Sequence, residues 1–190
     1  MPRTIEFFFD FASPYTYLAA TQIEAVAQRA GAELIWRPFL LGGVFKSVGN
    51  APPAVLAPRG AYMLQDLGRW ARFYGVPLRF PSTFPVNSLL AMRALQGMSR
   101  AERPAAAHRV FHAHWVEDRD ISDPAVLTPL LGEAALARAN DPEVKDRLRR
   151  TTEEAVTRGA FGAPTFFVGE TMFFGNDRLQ FVEQAASEAE

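Results

Sequence analysis

The apolar positions of residues 1–40 change period twice. Ile5-Glu6-Phe7-Phe8-Phe9 is a run of strand length, rich enough in aromatic residues to be a buried strand. Asp10, Ala12 and Ser13 end it, and Pro14 stands where a helix takes its first residue, a position at which a missing N–H costs nothing. Beyond it Tyr15, Leu18, Ala19, Ile23, Val26, Ala27 and Ala30 form a helical stripe, which Gly31 closes as the C′ residue. Ala32 to Phe39 then alternates as a half-buried strand ended by Pro38. Strand, helix and strand in this space predict a βαβ unit with parallel strands and a right-handed crossover.

From Leu40 to about Pro58 the chain is rich in Gly and Pro, which predicts a long irregular connection of the functional or mobile kind. Helical spacing follows in Pro58 to Tyr74 with Gly75 as its stop, in a helix opened by Asn87, and in Glu102 to Val116. Ser122-Asp123-Pro124 and Asn140-Asp141-Pro142 each read as a cap plus first-turn proline, starting helices that run to about Ala137 and Arg158. Nothing between Leu40 and Ala139 has the character of a sheet strand. Residues 41–139 are therefore expected to be a helical insertion between residues 1–40 and 140–190. The chain returns to strands after Pro164: one to about Val168 and a second at Met172-Phe173-Phe174, joined as a hairpin. A last helix carries Leu179, Phe181, Val182, Ala185 and Ala186.

Composition narrows the function more than the fold. The 190 residues carry a formal net charge of -1, which gives no electrostatic case for nucleic acid or an anionic membrane. No apolar run approaches the ~20 residues of a spanning helix, and Glu6 sits where the apolar core of a signal peptide would begin. Cysteine is absent, which excludes disulfides, thiolate metal sites and dithiol chemistry by the chain itself and fits a cytoplasmic protein. His108 and His112 stand one helical turn apart but lack a third ligand at recognised spacing, so no metal site is expected.

The candidate chemistry lies at Ser13. As the residue before the first helical turn it is an N-cap, its hydroxyl among free N–H groups at the positive end of the helix dipole. A cap is one reading. The other starts from the place of Ser13 and Thr16, which is that of a Cys-x-x-Cys pair at a helix N-terminus, with both sulfurs replaced by hydroxyls.

Three segments carry a family resemblance: FFFDFASPYTYLA at the start, WRPFLLGGVFKSVGN after the second strand and FGAPTFFVGETMFFGNDRL near the end, with ARFYGVPLRFP and DISDPAVL between. In this combination the chain resembles the 2-hydroxychromene-2-carboxylate isomerases, a glutathione-dependent branch of the DsbA-like and kappa-class glutathione transferase superfamily found in bacterial aromatic catabolism. The resemblance implies an α/β fold, thioredoxin-like with an inserted all-helical domain, in a homodimer. It implies glutathione as cofactor, with Ser13 stabilising its thiolate by one to two pKa units, as a hydrogen bond to a charged acceptor can.

It further implies that Pro164 is cis and that Ala163, Pro164 and Thr165 pair with the glutathione backbone, where the bare residues suggest a trans proline opening an edge strand. Asn176 and Asp177 would hold the γ-glutamyl end, with Arg178 supporting Asp177 or reaching an anion; read alone, Asn176 and Asp177 are helix caps. Lys46, Asn50, Tyr62 and Asn87 would face a small aromatic carboxylate substrate, although a loop Lys such as Lys46 is ordinarily just solvated. The activity implied is isomerisation of 2-hydroxychromene-2-carboxylate. A kappa-like glutathione transferase and a non-catalytic thioredoxin-fold binding protein stand as alternatives.

Overall fold

The structure, a computed structural model, describes residues 3–50 and 57–188. Strand β1 (Thr4–Phe9) leads through the Asp10–Ser13 turn into α1 (Pro14–Ala20) and α2 (Ile23–Ala30), then β2 (Glu33–Pro38). β1 and β2 are parallel, as the βαβ pattern requires, with Phe7 opposite Trp36. The helix between them is broken rather than continuous. The Thr21 hydroxyl takes the Leu18 carbonyl at 2.7 Å and the Gln22 N–H bonds Ala19, an i−3 closure that interrupts the ladder before Ile23 restarts it.

The segment after β2 departs further from the sequence pattern. Leu41–Val48 is a helix, α3, closed by Gly49 in the left-handed conformation, and not an irregular connection. Gly43 lets it lie against the neighbouring helix, since a Cβ there would stand 3.2 Å from Thr152 Cγ2. The rest of the Gly- and Pro-rich connection, residues 51–56, lies outside the described residues. There follow α4 (Ala57–Tyr74), α5 (Leu89–Gly97), α6 (Arg103–Trp115), α7 (Pro124–Leu131), α8 (Glu133–Arg138) and α9 (Pro142–Thr157).

α7 and α8 occupy a span whose pattern suggests one helix. Gly132 divides them with φ 86 and ψ 149, a conformation open to glycine alone. Asp123 caps α7 through Ala125 N–H as expected, whereas Asp141 has cap dihedrals but makes no side-chain cap bond.

The chain closes with β3 (Thr165–Val168), β4 (Thr171–Phe174), a 3-10 turn at Asn176–Arg178 and α10 (Leu179–Ser187). The sheet order is β2-β1-β3-β4, with β3 antiparallel to both β1 and β4. All four strands lie outside residues 41–139, and the elements described within that span are helices. This is a thioredoxin-like α/β fold.

β1 is central and covered on both faces, which is why it reads as an apolar run rather than an alternation. Phe7 stacks on Phe166 at 5.1 Å and meets Trp36 edge-on at 4.9 Å. On the other face Phe8 packs with Phe39 and Phe167 beneath α9. The first face runs without a seam into the helical segment: Phe11 meets Phe111 at 4.7 Å, and Trp115 Nε1 donates to the Phe11 carbonyl at 2.9 Å. Sheet and inserted helices thus share one core, and that core fixes the turn that follows Phe11.

Candidate active site

Ser13 caps α1 with extended backbone (φ -99, ψ 119), and its Oγ accepts the Thr16 N–H at 3.2 Å. Its own proton is committed. The hydroxyl donates to the Ala163 carbonyl at 3.0 Å, across the sequence from the helix it caps. That carbonyl precedes Pro164 through a cis peptide bond, as the resemblance implied; a second cis bond, Phe84–Pro85, had no forewarning in the sequence. Thr165 is buried and closes the turn by donating to the Gly162 carbonyl at 2.9 Å, while Gly175 N–H donates to the Pro164 carbonyl at 3.0 Å. Gly162 is required by contact, because a Cβ would stand 2.7 Å from the Phe174 ring.

A cavity of about 780 Å³ opens over this pair. Its floor is the Ser13 turn and Ala163-Pro164. One side is α3, with Leu41, Gly43 and Phe45; the other is α4, with Arg59, Met63, Asp66 and Trp70. Phe84 to Leu89 and Phe174 to Asp177 complete the wall.

Of the residues singled out in the sequence, Ser13, Ala163, Pro164, Asn176, Asp177, Asn50 and Asn87 line the cavity. Thr165, Arg178, Lys46 and Tyr62 are not among its lining residues. Arg178 pairs with Asp177 at 2.8 Å, in the supporting position, both side chains half exposed. Lys46 is exposed near the end of α3. Tyr62 borders a shallow depression beside the main cavity, with Tyr15 and Arg59. Asn176 is buried, its carbonyl accepting the Tyr74 hydroxyl at 2.9 Å. Asn50 Nδ2 donates to the Phe161 carbonyl at 3.2 Å, and Asn87 Oδ1 accepts the Leu89 N–H at 3.1 Å beside the Ser88 cap of α5.

Several wall residues gave no sign in the sequence. Tyr15 donates to Asp66 on α4 at 2.9 Å; burial, then Asp66, raises its pKa, so the phenol stays protonated. Asp10 is 1% exposed, and burial raises its pKa against the pull of its hydrogen bonds. Both were invisible for one reason: each acts through a partner at least 31 residues away. His108 and His112 contact different acids, Glu24 and Glu117, and no cluster of potential metal ligands exists among the described residues.

In chemical terms the site offers a hydroxyl at the positive end of a helix, a carbonyl bonded to it, and a half-open anionic corner at Asp177. Arg59 is a cation on the cavity wall. Ser13 lacks any described base as partner, its hydroxyl being a donor to a carbonyl, so the arrangement suits stabilisation of a bound anion better than nucleophilic attack by Ser13.

Comparison with known proteins gives one consistent answer. A family model described as a DSBA-like thioredoxin domain matches residues 4–187. The chain is 34% identical to a 2-hydroxychromene-2-carboxylate isomerase of Sphingobium xenophagum over 96% of this chain and 97% of that protein. It is 31% identical to glutathione S-transferase kappa 1 of Homo sapiens, over 99% and 92%. A solved 2-hydroxychromene-2-carboxylate isomerase structure superposes with a TM-score of 0.86 at 32% identity, covering 96% of this chain and 93% of that one.

Proposed function

This chain belongs to the DSBA-like thioredoxin domain family, on the branch of the 2-hydroxychromene-2-carboxylate isomerases, and from that premise we propose that it is a glutathione-dependent isomerase. Its reaction in this reading converts 2-hydroxychromene-2-carboxylate to trans-o-hydroxybenzylidenepyruvate. The observation that carries the proposal is the Ser13–Ala163 pair, a polar floor at a helix N-terminus in a chain that has no sulfur nucleophile of its own.

The residues present fit glutathione. Ala163 has a carbonyl able to take a peptide N–H, in the manner of an added strand. Asp177 faces the cavity with a carboxylate suited to an ammonium group. Bound here, glutathione would supply a thiolate able to add to the enone that appears when the hemiketal C–O bond of the substrate opens, its hydroxyl proton passing to the phenol oxygen, and able to leave once the former double bond has turned. With a peptide N–H on the Ala163 carbonyl, the Ser13 hydroxyl proton would be free to turn to the sulfur. The α1 dipole adds to that stabilisation. Arg59, a cation on the cavity wall, meets the carboxylate of the substrate. Phe45, Phe84 and Trp70 exclude water from its aromatic ring.

We place the protein in the cytoplasm as a homodimer, formed on the α4 face where Tyr62 and Phe73 are exposed. Within each protomer residues 41–139 are an inserted helical unit on the sheet domain formed by 1–40 and 140–190. The test is stoichiometry with limiting glutathione and hydroxychromene carboxylate. An isomerase makes many products per glutathione and leaves it intact. One glutathione consumed per product indicates a kappa-like transferase, and no conversion indicates a binding protein.

A further inference from the structure

Asp10 is a carboxylate that the proposed reaction does not use. It ends the central strand, it is 1% exposed, and among the described residues no cation is ion-paired with it. Such a group is costly to bury unless its oxygens are fully employed. Here they are. Oδ1 accepts the Ala12 N–H at 3.0 Å and Oδ2 accepts the Leu41 N–H at 2.8 Å, while the Ser88 side chain lies near enough to the same carboxylate to favour its charged form. Its backbone carbonyl also receives the Ser13 N–H at 3.2 Å.

Two of these partners belong to helix starts whose N-cap side chains make no capping bond. α3 has Leu40 at its N-cap, with no side-chain acceptor, and opens Leu41-Gly42-Gly43, a weak helix former. Its first amide, one of the four that a helix start leaves open, is satisfied from the turn after β1, by the Asp10 carboxylate. Ser88 is the N-cap of α5 and makes no cap bond to its own helix. One carboxylate therefore joins the Ser13 turn, the α3 wall and the 84–89 wall, three segments far apart in sequence that meet at the cavity. All its partners are donors, so an amide cannot replace it: Asn would turn an NH2 toward an N–H.

We propose that Asp10 is a positioning residue that clasps α3 and Ser88 to the Ser13 turn, fixing the wall that receives the electrophile without touching it. This assignment rests on the reading of the cavity as a glutathione-dependent active site, but the clasp itself is testable apart from it. Charge and clasp have opposite consequences. If Asp10 acted only as a negative charge near the sulfur, its removal would favour the thiolate and speed the reaction. If it is the clasp, its removal loosens α3 and slows it.

The experiment is hydrogen exchange and kinetics on Asp10→Asn in the full chain. The expected result is about tenfold faster exchange for amides of Val44 and Phe45, with the Phe7 and Phe166 amides unchanged. The electrophile KM should rise about tenfold while the glutathione Kd moves by less than about threefold. Unchanged α3 exchange together with wild-type or faster turnover overturns the proposal. Should Asp10→Asn accelerate exchange everywhere, Ser88→Ala, which removes one arm, decides: a raised electrophile KM supports the clasp and an unchanged one refutes it. A wild type that binds no glutathione defeats the functional reading alone, because the exchange pattern still reports on the clasp.

Discussion

Replacing Ser13 with Ala isolates the hydroxyl, because Pro14 and the α1 start remain in place. The magnitude depends on what that hydroxyl bonds in the complex before the thiol ionises. A hydrogen bond to a charged acceptor contributes roughly 1.5–3 kcal/mol, a neutral one about 1 kcal/mol. Released from the Ala163 carbonyl, the Ser13 proton meets the sulfur first as thiol and then as thiolate, so ionisation gains only the difference, about 0.5–2 kcal/mol. At 1.36 kcal/mol per pKa unit the mutant raises the bound thiol by about 0.4–1.5 units. That is below the one to two units expected from the sequence. Turnover at neutral pH should fall roughly threefold to thirtyfold and recover as the pH rises. The assay is ultraviolet thiolate absorbance of bound glutathione, titrated in wild type and Ser13→Ala. A cap without a chemical role predicts a stability loss of roughly 1 kcal/mol and superimposable curves, and that result would refute the reasoning.

Other perturbations separate binding from stability. Asp177→Ala should weaken glutathione binding by about 1 kcal/mol, less than a buried pair would lose, because Asp177 is 42% exposed and already neutralised by Arg178; calorimetric titration reads the change, and unaltered affinity removes Asp177 from the site. Glu6→Gln should lower the urea midpoint by an amount equivalent to about 1–3 kcal/mol. Glu6 bridges Arg37 and Arg158, all three largely covered, and its loss leaves the half-exposed Glu154 as the one acid still paired with both among the described residues. His114 is fully buried, and burial holds its imidazole below the ordinary range. The unfolded chain therefore binds a proton that the folded protein refuses, so stability falls as pH drops below about 6.5. His114→Gln should flatten that part of a pH series of melting temperatures, and an unchanged slope would assign it elsewhere.

The sequence disclosed whatever depends on neighbours along the chain. Phe7 to Phe9, the Ser13-Pro14 helix start and the Asp123-Pro124 start all follow from local periods and caps, and the structure has them in those places. α3 was hidden because Gly42 and Gly43 disfavour a helix that is held from outside, by Asp10 at its first amide and by Thr152, whose hydroxyl accepts the Leu40 N–H. The breaks at Thr21-Gln22 and Gly132 leave the apolar stripe undisturbed and so cast no shadow on the pattern. The site divides along the same line. Ser13 is recognisable from its immediate flanks, whereas Pro164 entered through the family resemblance, its bare flanks suggesting a trans bond. Arg59, Asp66 and Trp70 become wall residues only when α4 folds over the Ser13 turn, and Lys46 stands exposed on a helix where the pattern suggested a loop.

The central claim is that this fold binds glutathione as a thiolate, and proton release measures it most directly. Free glutathione is almost wholly protonated at pH 7, as a free Cys thiol is. If the Ser13 hydroxyl and the α1 dipole lower the bound thiol by one to two units in all, binding at pH 7 should release about half a proton per glutathione. Calorimetric titrations in buffers of different ionisation enthalpy give that number, with S-methylglutathione as the control that has no proton to release. Release near half a proton from glutathione and none from the control is the predicted result. Equal, negligible release from both would contradict the account, because the thiol would then be bound unchanged.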